Sequence, residues 1–121
     1  MKERARARQL LAWIRSDLDA LRAERSTHTM FYDRATTPLT AAGRAAADKL
    51  VRVVGLTLPA GTTSLFGAWS IADSDLAFML HRLLLNGEEL PAPVRAFAEA
   101  QWARPSVQAF VKRARPAYVP Y

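Results

Sequence analysis

The side chains that most often carry out catalysis are scarce in this sequence of 121 residues, which has two histidines and no cysteine. His28 and His81 lie far apart, and no local spacing of serine, histidine and acid matches a nucleophilic triad. The absence of cysteine excludes disulfides, thiolate metal sites and a cysteine nucleophile. None of the five glycines belongs to a phosphate-binding loop. The sequence therefore predicts no catalytic residue and no metal site in this chain.

Three residues near the start of the chain share a face that can contact a substrate: Arg6, Trp13 and Asp17. Their spacing places them along one side of a helix, away from its stripe of leucines. We therefore take them as candidate substrate-binding residues. A structural role fits the same spacing: Trp13 would pack inside a helical bundle and Asp17 would pair with a neighbouring arginine.

Ser70 and Asp73 form an S-x-x-D box directly ahead of an apolar segment. In such a capping box the serine oxygen accepts from the N–H three residues on, and the acid accepts from the serine's own N–H. A helix that is buried on most sides cannot leave these donors unpaired. The box therefore predicts a central buried helix, and it assigns Asp73 a structural role rather than that of a general base.

Helical periodicity dominates the sequence, with no convincing alternating strand. We predict five helices. The first four span residues 3–25, run from the N-cap Thr40 to about residue 54, span 71 to about 86, and run from near Pro91 through Trp102. The last starts at Pro105 or Ser106 and buries Val107, Phe110 and Val111. The sequence thus predicts an all-α fold, a five-helix bundle.

The segments between and after these helices carry fewer signals. The connector 26–39 is expected to hold a short extended or turn segment around Phe31, and Gly87 to stop the third helix. We expect one domain over residues 1–121, with 114–121 as a tail.

The formal net charge of +6 raises the question of a nucleic-acid partner. Arg4, Arg6 and Arg8 alternate, so they spread around a helix, and no aromatic residues interleave with them. The connectors are too long or too rich in proline for a helix-turn-helix pair. The first apolar run ends at Arg15, far short of a spanning helix. We expect no nucleic acid and no membrane as partner, and a cytoplasmic location.

Several segments resemble the C-terminal all-helical domain of glutathione S-transferases. They are W-S-I-A-D-S-D-L-A from Trp69, H-R-L-L-L-N-G from His81 and Q-W-A-R-P-S-V-Q-A-F from Gln101. The opening R-A-R-A-R-Q-L-L-A-W-I-R-S-D-L and the later P-L-T-A-A-G-R-A-A-A-D-K-L resemble a bacterial subgroup of that family. Ser74 departs from the pattern, because an apolar residue usually staples the helix entry there.

The resemblance implies a five-helix bundle of the glutathione S-transferase C-terminal type. In that family a preceding thioredoxin-like domain holds glutathione and supplies the Ser, Tyr or Cys that activates its thiol. This chain opens with what resembles the first helix of the second domain. The implied function is the helical substrate-pocket half of a glutathione transferase-like protein, inactive alone because the glutathione-binding domain is absent.

The resemblance also implies ligands and partners. Glutathione would be the co-substrate of the intact protein and would not bind this chain alone. The partners would be a thioredoxin-like domain and a second copy in a homodimer, and Arg6, Trp13 and Asp17 would face the electrophile. The alternative is a non-catalytic helical module that docks with other proteins through the face of its first helix.

Overall fold

The computed structural model describes residues 1–120, which form seven α-helices and contain no strand. The helices are α1 (Lys2–Ser16), α2 (Asp19–Glu24), α3 (Thr27–Phe31), α4 (Ala41–Thr57), α5 (Ile71–Leu84), α6 (Ala92–Trp102) and α7 (Pro105–Val111). The prediction of an all-helical fold is confirmed. None of these helices is long and apolar enough to cross a membrane.

The count exceeds the predicted five by two, because the first predicted helix is broken into α1 and α2 and the connector after it contains α3. Asp17 and Leu18 leave helical geometry between α1 and α2, with ψ angles of 3° and 31°. The break redirects the chain, since α1 packs against α5 whereas α2 packs against α4. Leu18 and Leu21 are both fully buried as a result. Periodicity alone does not reveal the break, because the apolar spacing continues across it.

The connector after α2 contains a helical turn, α3, in place of the extended or turn segment predicted around Phe31. The side chain of Met30, in this turn, is buried in the core. The buried Arg25 stabilises the connector, because it donates to the Thr37 carbonyl at 2.7 Å. At the other end of the chain, the expected tail is non-helical as far as residue 120. It packs back on α3, where the Tyr32 hydroxyl donates to the Pro116 carbonyl at 2.9 Å. Residue 121 of that tail lies outside the described residues.

The start of α4 is fixed from two directions. Thr40 is the N-cap as predicted, and its Oγ1 accepts from the Gly43 N–H at 3.2 Å. Glu24, at the end of α2, accepts from the N–H and from the hydroxyl of Thr40, both at 2.7 Å. These bonds lower the pKa of Glu24, the backbone bond contributing most. The helix then continues through Gly55 to Thr57, slightly further than predicted.

Helix α5 is the centre of the fold, and it contacts α1, α3, α4 and α6. Asp73 is 0 % exposed, and its two carboxylate oxygens accept from two backbone donors at 2.8 Å: the N–H of Ser70 and the N–H of Leu65. The Ser70 side of the capping box is weaker. Its hydroxyl faces the N–H of Asp73, but no well-aligned hydrogen bond to it is found within residues 1–120, and that N–H donates to the Ser70 carbonyl at 3.0 Å.

The missing staple at Ser74 is replaced by a polar contact. Trp69, the residue before the N-cap, donates from its indole Nε1 to the Ser74 hydroxyl at 3.2 Å. These are the two positions at which a hydrophobic staple forms. The Arg104 guanidinium lies over the Trp69 ring, 4.4 Å from its centroid. The entry into α5 is therefore fixed by a hydrogen bond and a cation–π contact.

Gly87 ends α5 as predicted. Its φ of 85° is in the left-handed region that favours glycine, and the Glu88 N–H turns back to donate to the Leu83 carbonyl at 3.0 Å.

We expect Asp73→Ala to lower the free energy of unfolding by about 3 kcal/mol, because two buried backbone donors lose their acceptor. Ser70→Ala is the matched variant and should cost less than about 1 kcal/mol, because its hydroxyl makes no strong bond. Urea unfolding followed by circular dichroism measures both. Equal losses in the two variants would contradict this account of the box.

Gly43→Ala should be destabilising even though alanine is the better helix former. A Cβ at this position would lie 2.5 Å from the Glu24 carboxylate oxygens and displace them from Thr40. In a Glu24→Ala background the clash is gone, and Gly43→Ala should then stabilise by about 0.5–1 kcal/mol. A double-mutant cycle of unfolding free energies measures this coupling. An effect of the same sign in both backgrounds would refute it.

Candidate functional site

A cleft of about 440 Å³ separates α1 from the end of α4, and we call it the α1/α4 cleft. Its apolar surface comes from four side chains: Leu10, Val53, Leu56 and Phe66. Leu56 is 82 % exposed, so one apolar wall is open to solvent. Arg6 and Trp13 lie on the α1 side of the cleft. The structure thus brings two of the three predicted substrate-binding residues together.

Asp17 does not line this cleft, but it holds the Trp13 ring in place. The indole Nε1 donates to Asp17 Oδ2 at 2.8 Å, and Lys49 Nζ on α4 lies 3.1 Å from the same oxygen. The indole bond contributes most to a lowered pKa of Asp17, followed by the bond and charge of Lys49. Asp17 is therefore a positioning residue for a partly buried tryptophan.

The structure shows part of the alternative, structural role of Trp13 and Asp17, because Trp13 packs against the core and Asp17 forms an ion pair. The partner of Asp17 is Lys49, whereas a neighbouring arginine was expected. Lys49 comes from a different helix, and no local spacing in the sequence links it to Asp17. The assignment of Arg6, Trp13 and Asp17 to substrate binding remains a prediction.

A second cleft, which sequence analysis did not find, lies on the opposite side of α1 against α5, and we call it the α1/α5 cleft. It encloses about 410 Å³. Its aromatic surface consists of Phe31, Phe78 and Phe110, whose ring centroids are 5.7–6.4 Å apart. The sequence does not reveal this aromatic surface, because its three rings come from three different helices, α3, α5 and α7.

Three arginines and one acid also line the α1/α5 cleft. Arg15 pairs with Asp75, with Nη1 and Oδ2 2.7 Å apart. Arg22 and Arg82 form no ion pair with any carboxylate in the described part of the chain, and each donates from Nη1 to a backbone carbonyl. The cleft therefore has an excess of positive charge.

The two histidines lie in different surroundings. His81 is buried, and its ring stacks on Trp102 with centroids 3.9 Å apart. Burial lowers the pKa of His81, although its bond to the Ala77 carbonyl opposes the shift. His28 Nε2 lies 3.3 Å from Asp33 at the surface. Within residues 1–120, no three His, Cys, Asp or Glu side chains cluster as metal ligands.

The ionisation of Asp17 should change the chemical shift of the Trp13 indole N–H. Because the folded pKa of Asp17 is lowered, its bonds are intact above the unfolded pKa and are lost as pH falls through the folded pKa. We expect the Trp13 indole N–H resonance to titrate in acid with a midpoint below that of an ordinary aspartate.

Asp17→Asn should abolish this titration, and Lys49→Met should raise its midpoint. The Trp69 indole is the internal control, since its acceptor is the hydroxyl of Ser74, which does not ionise in this range. A Trp13 resonance that is insensitive to pH in the unmodified chain would contradict the assignment.

Comparisons with known proteins identify the domain. Residues 1–115 match the family model for the glutathione S-transferase C-terminal domain. A solved glutathione transferase homologue from Burkholderia GL BGR1, with bound glutathione, is 38 % identical with a TM-score of 0.67. The match covers 93 % of this chain but 51 % of that one, so this chain spans about half the length of the homologue. A search of curated proteins found no match. The chain belongs to the glutathione S-transferase C-terminal domain family.

Proposed function

We propose that this chain is the helical half of a glutathione transferase-like protein, shapes the pocket for an electrophile and does not activate glutathione alone. The observation that carries the proposal is the match with the Burkholderia homologue over half of its length.

In the intact protein, a thioredoxin-like domain would hold glutathione and activate its thiol. The thiolate sulfur would attack the electrophilic carbon of the second substrate and expel the leaving group, with both molecules held in reacting geometry. The residues of this chain would bind and orient the electrophile. Glutathione is thus the proposed co-substrate, and the thioredoxin-like domain and a second copy of the chain are the proposed partners.

The α1/α4 cleft is the proposed wall of the electrophile pocket. It offers the face of an indole that is hydrogen-bonded to Asp17, together with a strip of aliphatic surface. Arg6 stands at the same cleft and forms no ion pair with a described carboxylate, so its charge is available to a polar substituent. An ordered ring beside an available cation is suited to an activated aromatic substrate.

The test is an activity assay on the purified chain. Conjugation of glutathione to 1-chloro-2,4-dinitrobenzene should proceed at the uncatalysed rate, and the chain should not be retained on immobilised glutathione. The Burkholderia homologue, which holds glutathione in its structure, is the control for retention. Turnover above the uncatalysed rate, or retention of this chain, would refute the claim that the active half lies elsewhere.

The pocket itself is tested with the electrophile alone. Titration without glutathione should shift the Trp13 indole resonance and leave those of Trp69 and Trp102 in place. Arg52→Gln, an exposed change at a residue of α4 that does not line this cleft, should leave the shift unchanged, whereas Trp13→Leu should abolish binding. A shift confined to Trp69 or Trp102 would place the electrophile outside the α1/α4 cleft.

A further inference from the structure

The chain after α7 turns back and lies over the aromatic surface of the α1/α5 cleft. We call residues 114–120 the C-terminal strap. The guanidinium carbon of Arg115 lies 4.0 Å from the centroid of the Phe31 ring and 5.3 Å from that of Phe110. The same guanidinium donates to the Phe110 and Val111 carbonyls at 3.0 and 2.8 Å. Arg115 therefore covers two of the three rings of that surface.

A cluster of three rings attaches the far part of the C-terminal strap to α3. The Tyr118 ring centroid lies 4.0 Å from that of His28 and 5.6 Å from that of Tyr32. The Tyr32 hydroxyl also holds the backbone of the strap through its bond to the Pro116 carbonyl. A terminal segment held by a few such contacts opens at a low free energy, so a change at one ring shifts its attachment.

His28 is the member of this cluster whose side chain changes charge near neutral pH. Its Nε2 lies 3.3 Å from Asp33 Oδ2, and because a carboxylate only accepts, Nε2 carries the proton of the neutral ring. Its Nδ1 is buried and has no hydrogen-bond partner within residues 1–120. In the imidazolium, Nδ1 also carries a proton, and that N–H has no acceptor while the strap is docked.

Two contacts of His28 do not depend on the strap. Asp33 and Tyr32 belong to the same segment as His28, and the Tyr32 ring is stacked on it with the two planes 11° apart. Asp33 is the only carboxylate within 4.0 Å of the ring nitrogens in the described part of the chain. These partners attract an imidazolium whether the strap is docked or released. Docking adds only the face of Tyr118, which is a weak cation–π partner at the surface.

Further charged groups around α3 are mostly cations. Arg34 donates to two carbonyls of α3. On α5, which packs on α3, Arg82 donates to a backbone carbonyl and Asp75 is paired with an arginine of α1. The docked strap adds Arg115 to this set. Docking therefore brings more positive charge towards α3, which disfavours an imidazolium there.

We propose that the C-terminal strap is a pH-sensitive cover of the α1/α5 cleft, docked while His28 is neutral and released when His28 is protonated. An N–H that is buried without an acceptor costs more than an exposed cation–π contact returns. Release of the strap gives this N–H access to water and removes Arg115 from the phenylalanine rings. The proposal does not rest on the proposed function, which uses the α1/α4 cleft.

The experiment measures the docked fraction by electron paramagnetic resonance. The chain has no cysteine, so Ala117→Cys gives a nitroxide a unique attachment site within the strap. The immobilised and mobile components of the spectrum give the ratio of docked to released strap. We expect this ratio to fall about tenfold from about pH 8 to about pH 5. In the unlabelled chain, the ring resonances of Phe31 and Phe110 should change over the same range, as Arg115 leaves them.

Two variants of His28 assign the response. His28→Phe keeps an aromatic ring against Tyr118 but takes up no proton, so the strap should stay docked at both pH values. His28→Gln should also give a ratio that does not change with pH, and it decides the test if His28→Phe does not fold. Both variants keep His81, so a response that came from that histidine would persist in them. Circular dichroism at both pH values verifies the helices.

Two further variants separate the contacts of the cluster. Asp33→Asn is the matched control, because its contact does not involve the strap, and the pH response should persist. Tyr32→Phe should lower the docked fraction at both pH values, because the Pro116 carbonyl loses its donor.

A ratio that stays constant between these pH values, or that rises in acid, would overturn the proposal. A response that persists in the His28 variants would also overturn it, because another group would then be titrating. Loss of the response in Asp33→Asn would show that the ion pair, rather than the unpaired N–H, controls the strap, and would equally refute the proposal.

Discussion

The fold depends on a single buried carboxylate. Asp73 has no exposure to solvent, and a charge in that position is tolerated only because both of its oxygens accept from backbone N–H groups. One of these donors begins α5 and the other belongs to the preceding loop. The same carboxylate therefore starts the central helix and attaches the loop to it. The helices that pack on α5 therefore depend on this carboxylate for their position, because it fixes where α5 begins.

The position of α1 on α5 creates two clefts of different chemistry. One flank of α1 faces α4 and presents an indole whose orientation is set by Asp17 and Lys49. The other flank faces α5, where arginines gather around three phenylalanine rings. Because α1 separates them, a ligand in one cleft does not compete directly for the side chains of the other.

The excess of arginine also has a role inside the fold. Arg25 is only 3 % exposed and donates to the carbonyls of Glu24 and Thr37. Arg82 in turn donates to the carbonyl of Arg25 at 2.8 Å. These guanidinium groups supply donors to carbonyls at the end of α2 and in the connector before α4. Part of the positive charge is thus structural.

The sequence by itself determined the helical class, the capping of α4 by Thr40, the box that starts α5 and the glycine that ends it. These features rest on contacts between residues a few positions apart, so local spacing encodes them. It also placed Arg6 and Trp13 on one face. Only the tertiary structure decided the break at Asp17, the helical turn α3, the pairing of Asp17 with Lys49 and the α1/α5 cleft. Each of these depends on which distant helices pack together, and a period of 3.6 residues carries no information about that.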